Sequence, residues 1–525
     1  MSSQDSALPP RSPLAVLLLV AIIAAAAGFA YFVIAQQAWI DDSFISFRYA
    51  RNFVAGHGLT FNVGDPVEGY TNFLWTLVTS VGLALGFEAM PFSQVMGLVA
   101  MAVTLWCVYE IARGSGLTGW RPVLAPFCLA TSFAFLAYPM TGMETSFFTM
   151  LLTVSFLAIQ RGLHQRLVGG LLLGALLFAL GTARFDGFGP VILLLSYPLL
   201  FGGRERRFKA YLTPIAVFVG AMLVYNLWRL SYYPTPLPNT FHAKTTFSFE
   251  RCVEGFRYLW QFVKGDGMPL CFLAVIPIVG AWDSKVARHA GWVVLGQFGY
   301  ATVVGGDWMM HFRFLLPVLP LLCVLAAEGL LVLYDGTSLW SKDGSAPKVP
   351  GAPLSIMPIA AVLAFLGFTA GQLRSFDEHL EFEEIAGPFF TPHDAAMIGR
   401  YMAENYPAEP LVAIEWGGIV PLYIENDILD TWGLTDTEFA QNEKLQKTKW
   451  GTLIGPRLIA AREPELIICN ARLMPTREAA MKSVEPGGPN HYRFYPQMVS
   501  EASGYDWQFV EIEPGQWWSA LVRVR

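Results

Sequence analysis

The chain has 525 residues, of which 54% are hydrophobic and only 14% carry a charge, and its mean hydropathy is +0.43. This composition is too apolar for an ordinary soluble protein and predicts a membrane protein. The formal net charge is −6, and the negative charge is concentrated after residue 372. The sequence therefore predicts a membrane domain at 1–372 and a separate soluble domain at 373–525.

Apolar runs recur along the membrane domain at about 13–34, 73–87, 91–112, 122–139, 144–160, 167–183, 188–203, 210–230, 267–282, 290–305, 313–334 and 353–372. Several are long enough for a bilayer-spanning helix, which needs about 20 residues. Others are shorter and interrupted by Gly or Pro, as is tolerated inside a helix bundle. No small-residue cleavage site follows the first run, so we expect a retained helix there. The pattern predicts about 11 transmembrane helices, with the path of 73–112 left open.

Basic residues indicate the orientation of these helices, because cytoplasmic loops carry an excess of Lys and Arg. Arg11, the pair Arg113 and Arg121, the pair Arg161 and Arg166, and the cluster at 204–209 fall in alternate connections. The opposite connections hold most of the polar motifs, at 37–72, 142–145, 184–187, 232–245 and 305–313. We therefore expect a membrane protein whose first external loop, 37–72, and whose C-terminal domain both lie on the side opposite the cytoplasm.

The C-terminal domain mixes two kinds of pattern. Short apolar runs such as "PLVAIEWGGIVPLYI" (410–424) and "PELIICN" (464–470) alternate with helix-like stretches such as "HDAAMIGRYMAENY" (393–406). This alternation predicts a small α/β domain. The pattern of the tail "YDWQFVEIEPGQWWSALVRVR" (505–525) predicts a β-hairpin.

No CxxC or HExxH metal-ligand pattern and no phosphate-binding Gly loop occurs in the sequence. A soluble nucleotide is thus not expected as a substrate, and nucleic acid is not expected as a partner. No cofactor is predicted to be required, although a divalent cation is left open.

Two adjacent carboxylates, Asp41 and Asp42, directly follow the first apolar run. A hydrated Asp at a helix end costs little, so a purely structural role is one interpretation. The rest of the loop is nevertheless rich in hydrogen-bonding side chains. If 42–52 is an interfacial helix, positions 41, 44, 45, 48 and 52 share one face. One Asp and Arg48 would then point toward whatever sits above the membrane.

Such a carboxylate, together with basic groups and neutral polar groups on one face, suits glycosyl transfer from a lipid-linked phosphosugar. The Asp would act as a general base on an acceptor hydroxyl, an effect of about 10²–10⁴-fold in rate. Basic side chains would neutralise the departing lipid phosphate. A transporter or flippase of lipid-linked sugars is the alternative, but it would usually show repeat symmetry between its halves, which this sequence lacks.

The ordered motifs "DDSFISFRYARN", "GMET", "ARFDG", "PLPNTFHAK", "GGDWMMHFRFLLPVLP" and "DTWGLTD" resemble the GT-C superfamily of integral-membrane glycosyltransferases. More narrowly, the chain is similar to the actinobacterial cell-wall arabinofuranosyltransferases that add terminal β-1,2-linked residues. The resemblance implies inverting transfer of a sugar, with arabinofuranose suggested, from a polyprenyl-phosphate donor to a cell-envelope glycan or another external acceptor. It places the catalytic acid in the first external loop, with Asp41 favoured as the base and Asp42 as the group that orients the sugar or acceptor, or with these two roles reversed. It also implies a location in the bacterial cytoplasmic (inner) membrane.

The remaining candidates fall into two groups. Those expected to bind the donor phosphate are Arg313, Lys244, Arg184 and His311. Those expected to bind the sugar or the acceptor are Arg48, Glu68, Tyr70, Glu144, Asp186, Asn239, His242 and Asp307. Plain structural roles stay open for several of them, since Glu144 opens an apolar run and Arg184 and Asp186 can pair across a bend. Relatives commonly have Pro where this chain has Phe185 and the Met310–His311 pair.

Overall fold

The structure is a computed structural model that describes residues 10–34, 39–201, 206–244, 248–265, 267–280, 284–307, 309, 311–335, 391–406, 410–415, 417–442, 446–447, 452–453, 456–468, 471–485 and 504–524. The predicted apolar run at 353–372 and the predicted domain boundary after residue 372 lie outside these residues.

The described residues form two compact units. The first unit takes its described residues from 1–38, 93–224 and 247–378, and the second takes its described residues from 39–92, 225–246 and 379–525. Segments 39–92 and 225–246, which lie before residue 372, thus group with residues of the C-terminal domain. The first external loop and the segment 225–246 belong to the same unit as the C-terminal domain, because their side chains bond to that domain's backbone, as described below.

The first unit is helical. Its helices are Pro13–Phe29, most of Ala89–Gly114, Leu124–Ala130, Phe133–Ala137, Thr145–Gln160, Leu167–Ala183, Phe188–Phe201, most of Arg206–Tyr232, Phe249–Lys264, Met268–Gly280, Lys285–Val304 and Leu319–Asp335. The first of these continues into a π-helical turn, Ala30–Ile34.

Only some of the described helices are long and apolar enough to cross a membrane. In the described part of the chain, four helices pass by length and composition, or up to six if each of two bent helix pairs is one span; four further apolar helices are shorter. The predicted number of about 11 is therefore not confirmed. Of the two helices within 73–112, only Ala89–Gly114 is long enough, which is consistent with one net crossing for that segment.

Small residues allow close helix contacts in the first unit. A Cβ atom added at Gly329 would lie 2.8 Å from the carbonyl carbon of Leu273, and one added at Gly255 would lie 2.7 Å from that of Thr302. Real Cβ atoms do not approach so closely, so these contacts require Gly. Packing through small residues is typical of helices in membranes.

Three of the arginines used to predict the orientation lie together. Arg11 and Arg113 each place a nitrogen 2.9 Å from Glu110, and Arg161 pairs with the same carboxylate. Glu110 is almost fully buried. These basic positions, which come from three separate segments, therefore occur at one place in the first unit.

The second unit combines helices with a five-stranded sheet. Its helices are Asp41–Val54, Phe73–Ala84, Asn239–Ala243, Pro392–Asn405, Ile419–Tyr423, Thr437–Ala440, Pro456–Ala461 and Arg477–Ser483. Its strands are β1 (Val412–Ile414), β2 (Ile428–Asp430), β3 (Gln446–Lys447), β4 (Thr452–Leu453), β5 (Leu466–Ile468), β6 (Tyr505–Glu513) and β7 (Gln516–Arg523). The α/β character predicted for the C-terminal domain is thus observed.

The sheet has the order β2-β1-β5-β7-β6, and β3 and β4 form a separate antiparallel pair. Strand β1 lies parallel to β2 and β5, whereas β7 is antiparallel to β5 and β6. Strands β6 and β7 form the hairpin predicted for the tail, and its turn contains Gly515 with φ 76°.

Both faces of this sheet are covered. Val412, Ile414 and Ile468 belong to a buried cluster that includes Phe44 and Phe47 of the helix Asp41–Val54. The opposite face packs Ala413, Leu429 and Ile467 against residues that include Phe439 and Ile459. The helix from the predicted first external loop is therefore part of the core of the C-terminal domain.

Candidate functional site

The first-loop helix, Asp41–Val54, begins at the two adjacent carboxylates. Ile40 precedes it in extended conformation, and both Asp41 and Asp42 lie in the first turn. Acidic side chains are favourable at this end of a helix because the helix dipole is positive there. The predicted helix at 42–52 is confirmed, although it is mostly buried in the second unit.

Asp41 binds the backbone of the C-terminal domain. Its Oδ2 accepts a hydrogen bond of 2.9 Å from the N–H of Gly418, and its Oδ1 accepts one of 2.8 Å from the N–H of Ile419. Gly418 immediately precedes the helix Ile419–Tyr423. Glycine is required because an added Cβ would lie 2.6 Å from the carbonyl carbon and 2.8 Å from Cγ of Asp41. We call this arrangement the carboxylate anchor.

Burial raises the pKa of Asp41 from its ordinary 3.8 to about 7. The two backbone N–H groups oppose this rise, while the negative charges of Asp42 and Asp430 add to it. A carboxyl group with a pKa near 7 can both accept and release a proton at neutral pH, which is the property that a general base needs.

Asp430 is a second buried carboxylate, at the end of β2. It accepts hydrogen bonds from the N–H groups of Trp432 (2.9 Å), Leu434 (2.7 Å) and Thr435 (3.1 Å). Burial raises its pKa to about 6 against the effect of these donors. Its segment is the motif "DTWGLTD", to which the sequence alone assigned no role.

Arg48 is fully buried and bonds to main-chain carbonyls. Its guanidinium donates to the carbonyl oxygens of Phe61 (2.8 Å), Pro421 (2.6 Å) and Asn426 (2.7 Å), and burial lowers its pKa to about 9. The predicted shared face is observed, since Asp41 and Arg48 both reach the segment 418–426. The predicted contact of Arg48 with the sugar or acceptor stays a prediction.

Glu68 and Tyr70 also have buried partners in the second unit. Glu68 forms an ion pair with Arg229, and both side chains are almost completely buried. The hydroxyl of Tyr70 lies 3.1 Å from that of Tyr233. Sequence reasoning missed Arg229, although a charge inside the apolar run 210–230 was a signal that could have revealed it.

Asn239 joins the motif "PLPNTFHAK" to the motif "DTWGLTD" within the second unit. Its side-chain amide donates to the carbonyls of Gly433 (3.1 Å) and Leu434 (2.9 Å), and its backbone N–H donates to the carbonyl of Glu68 (2.8 Å). His242 lies on the short helix Asn239–Ala243, and Lys244 directly follows it. Their predicted contacts with sugar and phosphate stay predictions.

Five candidates in the first unit form what we call the arginine cluster: Glu144, Arg184, Asp186, Asp307 and Arg313. Arg184 donates from Nε and Nη2 to the carboxylate of Asp186 (2.8 and 3.1 Å) and from Nη1 to Glu144 (2.9 Å). Tyr300, which sequence reasoning missed, is a further polar neighbour of Asp186. All three nitrogens of Arg184 thus bind carboxylates, and its predicted contact with the donor phosphate stays a prediction.

Arg313 has the freer geometry. It donates to Asp307 from Nε (2.5 Å) and from Nη2 (3.3 Å), and no hydrogen bond to another described residue uses its Nη1. The ring of Phe314 lies 5.5 Å from both guanidinium groups. A guanidinium can hold an anion through its remaining donors, so Arg313 is the better phosphate ligand of the two.

The turn that carries Asp307 and Arg313 has unusual backbone conformations. Gly305 and Gly306 have φ values of 89° and 72°, which glycine adopts without cost. His311 and Phe312 also have positive φ, at 56° and 53°. Left-handed conformations are uncommon for bulky residues and often occur at functional sites. The ring of His311 packs 4.8 Å from that of Phe133.

The sequence left a divalent cation open. Among the residues that the structure describes, no group of three or more His, Cys, Asp or Glu side chains is arranged to hold a metal ion. The requirement for a cofactor or a divalent cation stays a prediction.

Comparison with solved structures identifies the fold. The chain matches ArnT from Cupriavidus metallidurans, in a crystal structure bound to undecaprenyl phosphate, with a TM-score of 0.53 over 96% of this chain and 97% of that chain, at 13% sequence identity. The fold is that of the GT-C glycosyltransferases. This result confirms the resemblance predicted from the ordered motifs.

Curated relatives support the narrower resemblance. The chain is 27% identical over 362 residues to a terminal β-(1→2)-arabinofuranosyltransferase of Mycobacterium tuberculosis, with 59% of this chain and 55% of the relative covered. It is 25% identical over 353 residues to the protein of the same name in Corynebacterium glutamicum, with 57% and 48% covered. The chain thus spans about half the length of the curated relatives it matches. Residues 384–517 match a family described as Domain of unknown function (DUF8728).

The GT-C fold thus carries two sets of candidates. Glu144, Arg184, Asp186, Asp307, His311 and Arg313 belong to the first unit. Asp41, Asp42, Arg48, Glu68, Tyr70, Asn239, His242 and Lys244 belong to the second.

Proposed function

We propose that this GT-C chain is an inverting glycosyltransferase that moves a sugar, arabinofuranose, from a polyprenyl-phosphate donor to a cell-envelope glycan on the external face of the bacterial inner membrane. The observation that carries the proposal is its sequence similarity to terminal β-(1→2)-arabinofuranosyltransferases on a GT-C fold. ArnT, which has the same fold over nearly its whole length, binds undecaprenyl phosphate, and this supports a lipid-linked donor.

Asp41 is the proposed general base. As the acceptor hydroxyl oxygen forms a bond to the anomeric carbon, its proton passes to the Asp41 carboxylate. The bond between the anomeric carbon and the phosphate oxygen breaks, and its electron pair leaves with polyprenyl phosphate. The pKa of about 7 supports this role because it matches neutral working conditions. The two amides of the carboxylate anchor hold the group in position. A single displacement of this kind inverts the anomeric configuration.

Arg313 is the proposed ligand of the donor phosphate. Its Nη1 can donate to a phosphate oxygen while Nε and Nη2 stay on Asp307, so the guanidinium is already oriented before the donor arrives. Charge-assisted hydrogen bonds of this kind stabilise the negative charge that develops on the leaving phosphate. We propose that Arg184, held by Glu144 and Asp186, contributes its positive charge without direct contact.

The test uses the full-length protein in lipid nanodiscs with polyprenyl-phosphate arabinofuranose and an arabinan oligosaccharide, and detects pentose addition by mass spectrometry. Asp41→Asn is expected to lower the rate by about 10²–10⁴-fold. Asp65→Asn is the matched control, since it alters an exposed carboxylate of the same loop. Asp42→Asn, measured beside Asp41→Asn, decides which of the two adjacent carboxylates is the base.

Two results would contradict the proposal. Undiminished transfer in Asp41→Asn, in Asp42→Asn and in the double variant would refute the assignment of the general base to the first external loop. A product that keeps the donor's anomeric configuration by NMR would exclude the single displacement. Thermal unfolding of each variant is measured in parallel, so that a loss of folding is not taken for a loss of chemistry.

The transporter or flippase is not supported. The relatives and the solved structure named above are transferases, and none is a transporter.

A further inference from the structure

The helix Phe249–Lys264, which we call the amphipathic helix, has an exposed apolar stripe that the sequence patterns did not reveal. Phe249 is 80% exposed, Phe256 is 61% exposed and Trp260 is 49% exposed. Together with the more weakly exposed Val253, they are spaced by four, three and four residues, so at 3.6 residues per turn they lie on one side of the helix.

The two other sides of the amphipathic helix have different neighbours. Gly255, Tyr258 and Phe262 are buried and lie nearly opposite the stripe. A polar flank separates these two sides and consists of the exposed residues Glu250, Glu254, Arg257 and Gln261. One side therefore packs on protein, one suits water, and the third is apolar and open.

The direction of the next helix restricts what can cover the stripe. The amphipathic helix is followed, after a sharp bend of 94°, by the apolar helix segment Pro269–Ile278. If the following helix runs along the membrane normal, the amphipathic helix lies parallel to the membrane plane. Lys264 ends the helix with its ammonium 5.1 Å from the ring of Trp260, an arrangement suited to the boundary between apolar chains and headgroups.

We infer that the amphipathic helix lies in the membrane interface, with Phe249, Phe256 and Trp260 inserted among the lipid chains and the polar flank in contact with the headgroups. Two acidic and three basic residues nearly balance along the helix. Its partner is therefore a lipid surface that it enters by apolar insertion rather than by attraction to anionic headgroups.

The buried side of the amphipathic helix connects this depth to the arginine cluster. The rings of Tyr258 and Phe262 lie 5.2 and 5.4 Å from that of Phe312, and the N–H of Phe314 donates to the Tyr258 hydroxyl at 3.3 Å. The turn that carries Arg313 is thus fixed to an element at headgroup depth. That is also the depth of a lipid-linked phosphate, a consequence that rests on the proposed function.

The depth itself can be measured without any activity. A p-benzoylphenylalanine residue replaces Phe256 or Trp260 in the full-length protein, which leaves the native cysteines in place, and Glu254 on the polar flank is the matched control position. After reconstitution into phosphatidylcholine bilayers and illumination, mass spectrometry is expected to find lipid acyl-chain adducts at 256 and 260 and at least tenfold fewer at 254.

Two outcomes would overturn the inference. Adducts at 256 and 260 to peptides of this chain would mean that protein covers the stripe. Equal lipid adducts at all three positions would mean that the helix is surrounded by lipid and crosses the membrane.

A second measurement uses fluorescence quenching of an NBD label attached to the variant Phe256→Cys, in a background without other cysteines. Nitroxide quenchers attached to the lipid near the headgroup should quench this label more strongly than nitroxide quenchers deep in the bilayer. Stronger quenching by the deep probes would contradict the interface position.

Discussion

Replacing Gly418 by Ala tests the carboxylate anchor directly. The backbone of Gly418 has φ −101° and ψ −74°, near the right-handed helical region and outside the left-handed region that favours glycine, so the expected effect arises mainly from the added methyl group. That carbon would lie 2.6 Å from the carbonyl carbon and 2.8 Å from Cγ of Asp41, and these distances force the two segments apart.

The expected cost follows from two contributions. Overpacking of a tight contact costs about 1–3 kcal/mol. Separation also weakens the two hydrogen bonds from Gly418 and Ile419 to the Asp41 carboxylate, and bonds to a charged group contribute about 1.5–3 kcal/mol each. We therefore expect Gly418→Ala to lower the free energy of unfolding of the second unit by about 3 kcal/mol or more. For a unit of this size the melting temperature should fall by about 6–12 °C.

Differential scanning fluorimetry of the purified protein measures this change, and the neighbouring Gly417→Ala is the matched control. A Cβ at Gly417 would come no closer than 3.9 Å to Asp430, an ordinary contact, so its melting temperature should stay near that of the wild type. Equal melting temperatures for the two variants would refute the role assigned to the anchor.

Three further predictions concern charged groups. Since a base must be deprotonated to act, kcat/KM should rise with pH through about 7, the pKa of Asp41, and a flat rate profile from pH 5 to 8 would contradict the assignment. The contribution of Asp41 to the free energy of unfolding should fall as the pH rises from 3.8, the ordinary pKa, to about 7, because only the folded state holds the proton in that range. Glu68→Gln leaves the buried Arg229 without its carboxylate and should lower the stability measured by thermal unfolding by about 3–5 kcal/mol. The double variant Glu68→Gln, Arg229→Met should be destabilised less, and the reverse order would mean that the pair is not coupled. In the variant Arg313→Lys, the ammonium group cannot bind both Asp307 and a phosphate as the guanidinium does. Loss of a charge-assisted hydrogen bond of about 1.5–3 kcal/mol should raise the KM for the donor by about 10-fold to 100-fold. An unchanged KM would exclude Arg313 as the phosphate ligand.

The sequence predicted local structure well where the pattern is local. The helix at 42–52, the α/β character of the C-terminal domain and the hairpin of its tail all follow from residue periodicity, and the structure contains them. The ordered motifs also predicted the GT-C fold, because they occur along most of the chain.

Long-range partners could not be predicted in this way. Nothing in the sequence near Arg48 shows that its donors go to carbonyls 373 and 378 residues away. The same holds for Asp41, because its partners are the backbone amides of Gly418 and Ile419, whose side chains carry no polar group. From sequence alone, a charged side chain that forms hydrogen bonds with backbone groups cannot be distinguished from one that binds a ligand.

The number of membrane spans was difficult for another reason. Several predicted runs fold as apolar helices of 10–17 residues, shorter than a bilayer-spanning helix. The amphipathic helix was missed because charged residues interrupt its apolar ones, so that no continuous apolar run marks it in the sequence. The signal that could have revealed it is the helical spacing of the apolar residues at 249, 253, 256 and 260.

The carboxylate anchor has a consequence for how the protein is made. Asp41 and Arg48 leave the ribosome early, yet the two amides that bind Asp41 and two of the carbonyls that bind Arg48 are synthesised more than 370 residues later. At about 5–20 residues per second, this interval is roughly 20–80 s. During that time the newly made segment holds polar side chains without their final partners, and a chain that stops before residue 418 never supplies them. Correct assembly of the earliest polar segment thus depends on completion of the latest domain.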